Sequence, residues 1–241
     1  MKNRFTKHVL LTAAFIAFVG CSSKQTSEIS DPWESRNRFV HNINTHADEI
    51  VLEPIAKGYR YAVPQVARSG VRNVLRNLKS PTNFANEVLQ GDLDGAGHVF
   101  TRASINTLVG VGGLFDVAGH EGLTHTSEDF GQTLAVWGID HGPYLVVPFY
   151  GPSSVRDFTG IVADAYADPL NRWLVNTDEM GWAYGRLGLT IIDTREALLD
   201  ALNDLQKNSI DYYATLRSVY AQNRQALITD GESYGDLPDF E

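Results

Sequence analysis

The chain has a single cysteine in 241 residues. No disulfide can therefore close within it, even in a compartment that permits them. Catalytic signatures are equally scarce. No Gly-x-Ser-x-Gly elbow occurs; Gly151-Pro-Ser-Ser-Val is the nearest approach and carries Pro and Val in the wrong places. A Walker loop and a dinucleotide glycine fingerprint are both missing. His120 and His125 suggest a metal-binding helix, but they stand five residues apart, about 140° round a helix instead of on one face. Gly119 and Gly122 also oppose a stable helix there. Asp129, Asp157, Asp164 and Asp168 could serve as an acid–base pair, yet nothing in the sequence brings them together, so they read as caps and surface charges. Ser153 or Ser154 with His141 is the best nucleophile and base on offer, and it is poor. Basic residues are short too: 20 Lys and Arg against 29 Asp and Glu give a formal charge of −9. An acidic chain repels polyphosphate, which argues against nucleic acid as a partner and against docking on anionic lipid by charge.

What is present begins at the N-terminus. Lys2, Arg4 and Lys7 form a positive stretch, Val9 to Val19 an apolar one, and Phe18-Val19-Gly20 leads into Cys21. The apolar stretch is about half the ~20 residues a spanning helix needs, so it reads as a cleaved signal over residues 1–20. A cysteine at that junction resembles the lipobox of bacterial lipoproteins, in which cleavage precedes a Cys whose sulfur carries diacylglycerol; Phe18 stands where Leu is usual. The same resemblance makes Ser22 fit outer-membrane sorting. Cleavage would remove three cations and no acid, moving the formal charge from −9 to −12. Acylated, Cys21 would leave no thiol for catalysis, and two or more acyl chains would hold firmly at ~0.8 kcal/mol per buried CH₂.

Residues 21–30 then form an acylated Cys and a polar, patternless tether, and 229–241, with five acids, two glycines and a proline, a disordered tail. Nine tether residues reach at most ~30 Å, which keeps the body near the bilayer. One domain over 31–228 is the simplest organisation, and helix signals dominate it. Pro64 suits a first helical turn, followed by Val71, Val74, Leu75 and Leu78 at helical spacing. Pro81 is expected to end that helix and open another carrying Phe84, Val88 and Leu89, and Asp94 to cap a segment reaching Leu108. Ser154 with Asp157 makes a capping box; Leu198, Leu199, Leu202 and Leu205 mark one helix, and Ile210, Tyr213, Leu216 and Tyr220 another. A short extended segment around 144–150, interrupted by Pro148, is the one strand-like stretch. The fold class is mostly α.

Two further patterns bear on function. Ala103 to Phe115 carries no charge and ends in Gly110, Gly112 and Gly113, which fits either a core segment or one lying at a lipid interface with a sharp glycine turn. Too short to span, it is not a transmembrane helix. Arg68, Arg72 and Arg76 stand at i, i+4 and i+8, a cationic stripe that either pairs with local acids or meets phosphate head groups.

Four longer motifs carry a family likeness: Asp31-Pro-Trp-Glu-Ser-Arg-Asn-Arg-Phe, the stretch Arg102 to Ala118, Asp129-Phe-Gly-Gln-Thr-Leu-Ala-Val-Trp-Gly138, and Gly142 to Asp157. In this order behind a lipobox, over about 31–226, they resemble the MlaA (VacJ) family of outer-membrane phospholipid-transport lipoproteins. The resemblance implies a single ring-like helical domain lying in the inner leaflet of the outer membrane, with an amphipathic channel. Through it, mislocalised phospholipid would pass from the outer leaflet to a periplasmic lipid-carrier protein. A trimeric outer-membrane porin is the implied partner. No bond is broken, so neither an enzyme activity nor a cofactor is implied. Ile105, Leu108, Val109, Gly110, Gly112, Gly113, Leu114 and Phe115 become candidates for the membrane interface and channel wall. Asn42, Ile43 and Asn44 match the family's Asn-aromatic-Asn stretch linked to gating, with Ile43 replacing the aromatic. Of the stripe, only Arg68 has a counterpart; Arg68, Arg72 and Arg76 remain head-group candidates. The alternative is a structural lipoprotein that scaffolds porins or an envelope complex without a lipid path.

Overall fold

A computed structural model describes residues 29–230; the signal, Cys21 and most of the tether and tail lie outside them. The body is mostly helical. Helix α1 (Glu34–Ala47) passes through a π-helical turn (Asp48–Leu52) into α2 (Glu53–Ala62). Pro54 accounts for the wide turn: its ring crowds the carbonyl of Ile50 and offers no N–H, and the Glu53 N–H reaches back to the Asp48 carbonyl.

Helix α3 (Gln65–Gln90) follows, and Pro64 stands just before its first turn, at the N-cap. Contrary to the sequence expectation, α3 does not break at Pro81. An interior proline costs ~3 kcal/mol. Here the next turns are held from outside: Asn83 donates to the Thr126 carbonyl (3.1 Å), Asn86 donates to Asp164 (3.0 Å), and Thr133 donates to Asn86 (2.9 Å). Gly91, at φ 85°, ends the helix. The cap of α4 (Leu93–Leu108) is Asp92, whose carboxylate accepts from the Gly95 N–H at 2.9 Å, so the expected cap at Asp94 moves back two residues.

Short α5 (Val117–His120) and α6 (Phe130–Val136) lead to a hairpin of β1 (Tyr144–Val147) and β2 (Gly151–Ser154). The strands are antiparallel, with Tyr144 opposite Ser154 and Val147 opposite Gly151. Pro148 falls in the turn between them, where it removes no ladder bond. Ser154 caps α7 (Val155–Ala167) by accepting from the Asp157 N–H at 3.1 Å, as the capping box requires. Then come α8 (Pro169–Asn176), α9 (Met180–Ala197), α10 (Leu199–Asn208) and α11 (Tyr212–Ile228).

The elements close on one another as a ring: α1 packs on β1, β2 on α7, α7 on α8, α8 on α9, α9 on α2, and α2 leads back to α1. Helix α3 crosses from α8 and α9 to α6, and α11 ties α6 and β2 to α10. An apolar cluster of Ile29, Tyr144, Val146, Tyr213 and Ala221 sits where α11 meets the hairpin. Ile29 and Ser30, which the sequence places in the tether, pack with the body: the Ile29 side chain is buried in this cluster, and the Ser30 carbonyl accepts from the Tyr144 N–H at 2.9 Å. At the other end Thr229 still bonds to the Gln225 carbonyl (3.1 Å), inside what reads as tail. Among the described residues, no helix is long and apolar enough to cross a membrane.

Candidate functional site

Burial in this body runs against the usual rule. More polar and charged side chains are buried than apolar ones, including Arg102, Arg156, Asp157, Asp168, Asp193, Arg195 and Glu196. Large apolar groups face outward on nearly every helix, among them Phe39, Ile50, Phe100, Val162, Trp173, Trp182 and Leu187. A surface of that kind is costly in water and marks a contact with another apolar phase.

Ion pairs and hydrogen bonds hold the interior. Glu196 accepts from Arg60 (2.9 Å) and Arg72 (3.1 Å) and forms an ion pair with Arg68 (3.3 Å), and Asp193 pairs with Arg72 (3.0 Å), so α2 and α3 are locked to α9. On the far side Arg224 of α11 grips Asp129 through two 2.6 Å bonds and reaches Asp157 at 3.0 Å. Against the upward push of burial, Arg224 is foremost in holding both carboxyls below their usual range. Asp164 accepts from the Phe130 N–H (2.9 Å) and Asn86. The four aspartates of the sequence reading are therefore not surface charges: three converge around α6 and α7, and Asp168 caps α8 and pairs with Arg186. Their organiser, Arg224, has no local sequence signal. Ser153 donates to the Ser154 carbonyl (3.3 Å) and His141 bonds to the Gly142 carbonyl, so no serine–histidine couple forms.

Asn42, Ile43 and Asn44 lie near the end of α1, beside the hairpin. Asn44 accepts from the Phe149 N–H (2.8 Å) and donates to the Val147 carbonyl (2.9 Å), clamping the hairpin turn. Two helical turns earlier, Asn37 makes the same pair of bonds to Tyr144 and Val146, both 3.0 Å. The seven-residue spacing puts both amides on one face of α1, a signal that the sequence carries in Asn37 and Asn44. Asn42 and Ile43 are exposed, the latter at 42%.

Residues 105–115 split into two kinds. Leu108 (83% exposed), Val109, Val111, Leu114 and Phe115 project outward, while Ile105 is half-buried. Gly110 and Gly113 are buried: a methyl on Gly113 would lie 2.6 Å from Asn77 Cβ, and one on Gly110 would lie 2.3 Å from the Phe115 carbonyl oxygen. Gly112 is exposed, and with Gly113 adopts positive φ (70° and 91°). The turn lies flat on α3 and offers its apolar side chains outward.

The arginine stripe divides as well. Arg68 and Arg72 are taken up by Glu196 and Asp193. Arg76, one turn on, makes no side-chain hydrogen bond or ion pair among the described residues and stands at the mouth of a polar cleft between α3, α4 and α5. In that cleft Asp116 accepts from Arg102 (2.9 Å), Asn106 (2.9 Å) and the Gly119 N–H (3.0 Å), and caps α5. His125 faces the same space; burial, then Arg76, Arg102 and Lys79, pushes its pKa down to about 4. His120, exposed at the end of α5, is separate from it.

The family model for the MlaA lipoprotein matches residues 29–227. A Haemophilus influenzae relative named intermembrane phospholipid transport system lipoprotein MlaA is 36% identical over 250 residues, covering 99% of this chain and 97% of its own. The Escherichia coli K12 protein of the same name is 39% identical over 223 residues, 89% of this chain and 85% of its own. A solved structure from work on the structural basis for maintenance of bacterial outer membrane lipid asymmetry superposes with a TM-score of 0.72 at 35% identity, covering 83% of this chain and 99% of that one.

Proposed function

The chain belongs to the MlaA lipoprotein family, and on that premise we propose that it removes mislocalised phospholipid from the outer leaflet of the outer membrane. The lipid passes along an amphipathic path in the helical ring to a periplasmic carrier, which maintains the asymmetry of the membrane. The observation that carries this reading is the reversed distribution of polarity: ion pairs inside, large apolar side chains outside. Such a body is stable with lipid acyl chains as its lateral solvent. Its polar interior supplies the dipoles and charges that a head group needs within an apolar setting.

Within this reading the roles divide by physical chemistry. Cys21 carries the acyl chains that anchor the protein, and the ring lies in the inner leaflet on the periplasmic side. Ile105, Leu108, Val109, Leu114 and Phe115 form apolar wall. Gly113 lets that wall lie close against Asn77 of α3, Gly110 lets the turn fold back on Phe115 and Asn106, and Gly112 supplies a positive φ in the same turn. Asn42, Ile43 and Asn44 set the opening: Asn44 ties α1 to the hairpin turn, so loosening its two bonds alters how readily lipid passes. An outer-membrane porin trimer holds the ring at the correct height. The path needs no broken bond, hence no nucleophile and no cofactor.

Labelling surface phosphatidylethanolamine tests the reading, with an amine-reactive probe that does not cross the outer membrane. Deletion of the gene raises the label and complementation restores it. Equal label in parent and deletion cells contradicts lipid removal and favours a purely structural role among porins.

A further inference from the structure

The stripe residue without an ion-pair partner, Arg76, lines a cleft together with Arg102, His125 and one carboxylate, Asp116. Arg76, Arg102, Lys79 and Asp116 all act on His125; Asp193 also faces Arg76, and Asp129 and Asp164 face Lys79. Asp116 is already committed to Arg102, Asn106 and the Gly119 N–H. Lys79 reaches a hydroxyl, that of Ser127, at 3.2 Å. Of the two guanidinium groups lining the cleft, Arg102 is paired with Asp116 and Arg76 has no ion-pair partner among the described residues, which leaves Arg76 able to take an anion from outside.

The surroundings specify the anion further. The cleft has a volume of about 10 Å³, room for one oxygen-sized group. Asn77 lines the cleft and also bears directly on Gly113, so the glycine turn forms its rim. That rim presents Val109, Val111 and Phe115, all exposed. A ligand that fits both has one anionic oxygen to insert and an apolar body to lay over the rim. Inorganic phosphate meets the first requirement only; a phospholipid meets both.

We propose that the cleft between α3, α4 and α5 seats one phosphate oxygen of a phospholipid head group, with Arg76 as its principal ligand and the acyl chains lying over the 109–115 turn. This site rests on the lipid-transport reading and assigns it a head-group station. The oxygen meets the Arg76 guanidinium at the mouth, and Arg102 and neutral His125 lie behind it. Insertion of negative charge there offsets the repulsion that keeps a proton off His125.

The test uses the full-length lipoprotein in detergent and follows the His125 imidazole by NMR titration with three probes: dihexanoyl phosphatidylglycerol, dihexanoylglycerol and inorganic phosphate. The phospholipid raises the His125 proton affinity about tenfold. Dihexanoylglycerol, which lacks the phosphate, leaves it unchanged, and inorganic phosphate moves it only at far higher concentration. In Arg76→Glu the phospholipid-induced shift is lost; in Arg76→Lys most of it remains. An equal response to phosphate and phospholipid at equal concentration overturns the lipid assignment in favour of a free-anion site. No response to either overturns the site altogether, as does a full response in Arg76→Glu. Surface-lipid labelling of cells complemented with wild-type protein separates the two levels. Rescue there together with a silent His125 removes the cleft proposal and leaves lipid removal standing.

Discussion

Gly160 of α7 lies against Gly131 of α6 so closely that a methyl group on Gly160 would sit 2.3 Å from the Gly131 nitrogen. The two helices cross backbone to backbone at this point, and Arg224 closes over the crossing: a methyl on Gly131 would meet its Nη2 at 2.5 Å. Neither neighbour is the flexible end of a side chain at Gly160, so the added carbon forces the helices apart. Gly160→Ala therefore costs ~3 kcal/mol or more. Denaturant unfolding in detergent checks this, with Gly185→Ala, where nothing lies within 4 Å, as the control.

Glu196 is the hub between α2, α3 and α9. Its side chain is 6% exposed and receives three arginines. Glu196→Ala removes the carboxylate the three arginines share, though Arg72 keeps Asp193 and Arg60 keeps Asp200, and destabilises by ~1–3 kcal/mol. Because the pairs are buried, raising salt from 0.1 to 1 M (order-of-magnitude range) leaves the loss largely unchanged. Thermal unfolding of the purified protein at both salt concentrations measures it.

Two buried carboxyls give the protein an unusual pH profile. Burial pushes Glu87 up to about 7, aided by Asp92, and pushes Glu128 up to about 7 against the hydrogen bond from Gln90 (2.8 Å). A folded pKa above the unfolded one means that the native state holds extra protons. The contribution is full below the ordinary glutamate pKa and is lost as pH rises through about 7. Glu128→Gln thus stabilises at pH ~8, by on the order of 1–3 kcal/mol, and changes little at pH ~4. His125 acts in the opposite sense: held neutral in the fold, it costs stability as pH falls from 6.5 toward about 4. Unfolding free energies across pH for wild type and Glu128→Gln check the sign.

Leu108 is 83% exposed, so Leu108→Asp changes unfolding in detergent by no more than ~1 kcal/mol. In cells the same variant places a charge where acyl chains are expected and fails to lower surface phosphatidylethanolamine. A Leu108→Asp protein that folds, reaches the membrane and still rescues contradicts its place in the apolar wall.

Asn44→Ala removes both bonds that clamp the hairpin turn and costs ~1–3 kcal/mol. It also changes the rate of lipid passage, whereas Asn42→Ala, exposed and away from the hairpin bonds, leaves folding stability within ~0.5 kcal/mol. Comparing unfolding and surface label for the two variants separates a gate from a mere fold contact.

Local features were readable from the sequence because their causes are local. The Ser154 cap and the helices after Leu198 follow from spacing alone. Pro81 misled because its penalty is local while the bonds that offset it come from Thr126, Thr133 and Asp164, tens of residues away. The same distance hid Arg224, which joins Asp129 and Asp157 across a gap no periodicity reveals. Hydrophobic patterning found the helix faces but could not tell inside from outside, since a face that meets lipid and one that meets protein read alike. The uncharged run to Phe115 is the instance: only its exposure in the folded chain decides.

The measurement that bears most directly on the account is fluorescence quenching of the protein in bilayers of brominated phospholipid. Trp33, Trp137, Trp173 and Trp182 are all exposed on the folded body. If the outward apolar shell faces acyl chains, chain-borne bromine quenches most of the emission and aqueous iodide quenches little. Strong iodide quenching with bromine ineffective would place that shell in water and contradict the account.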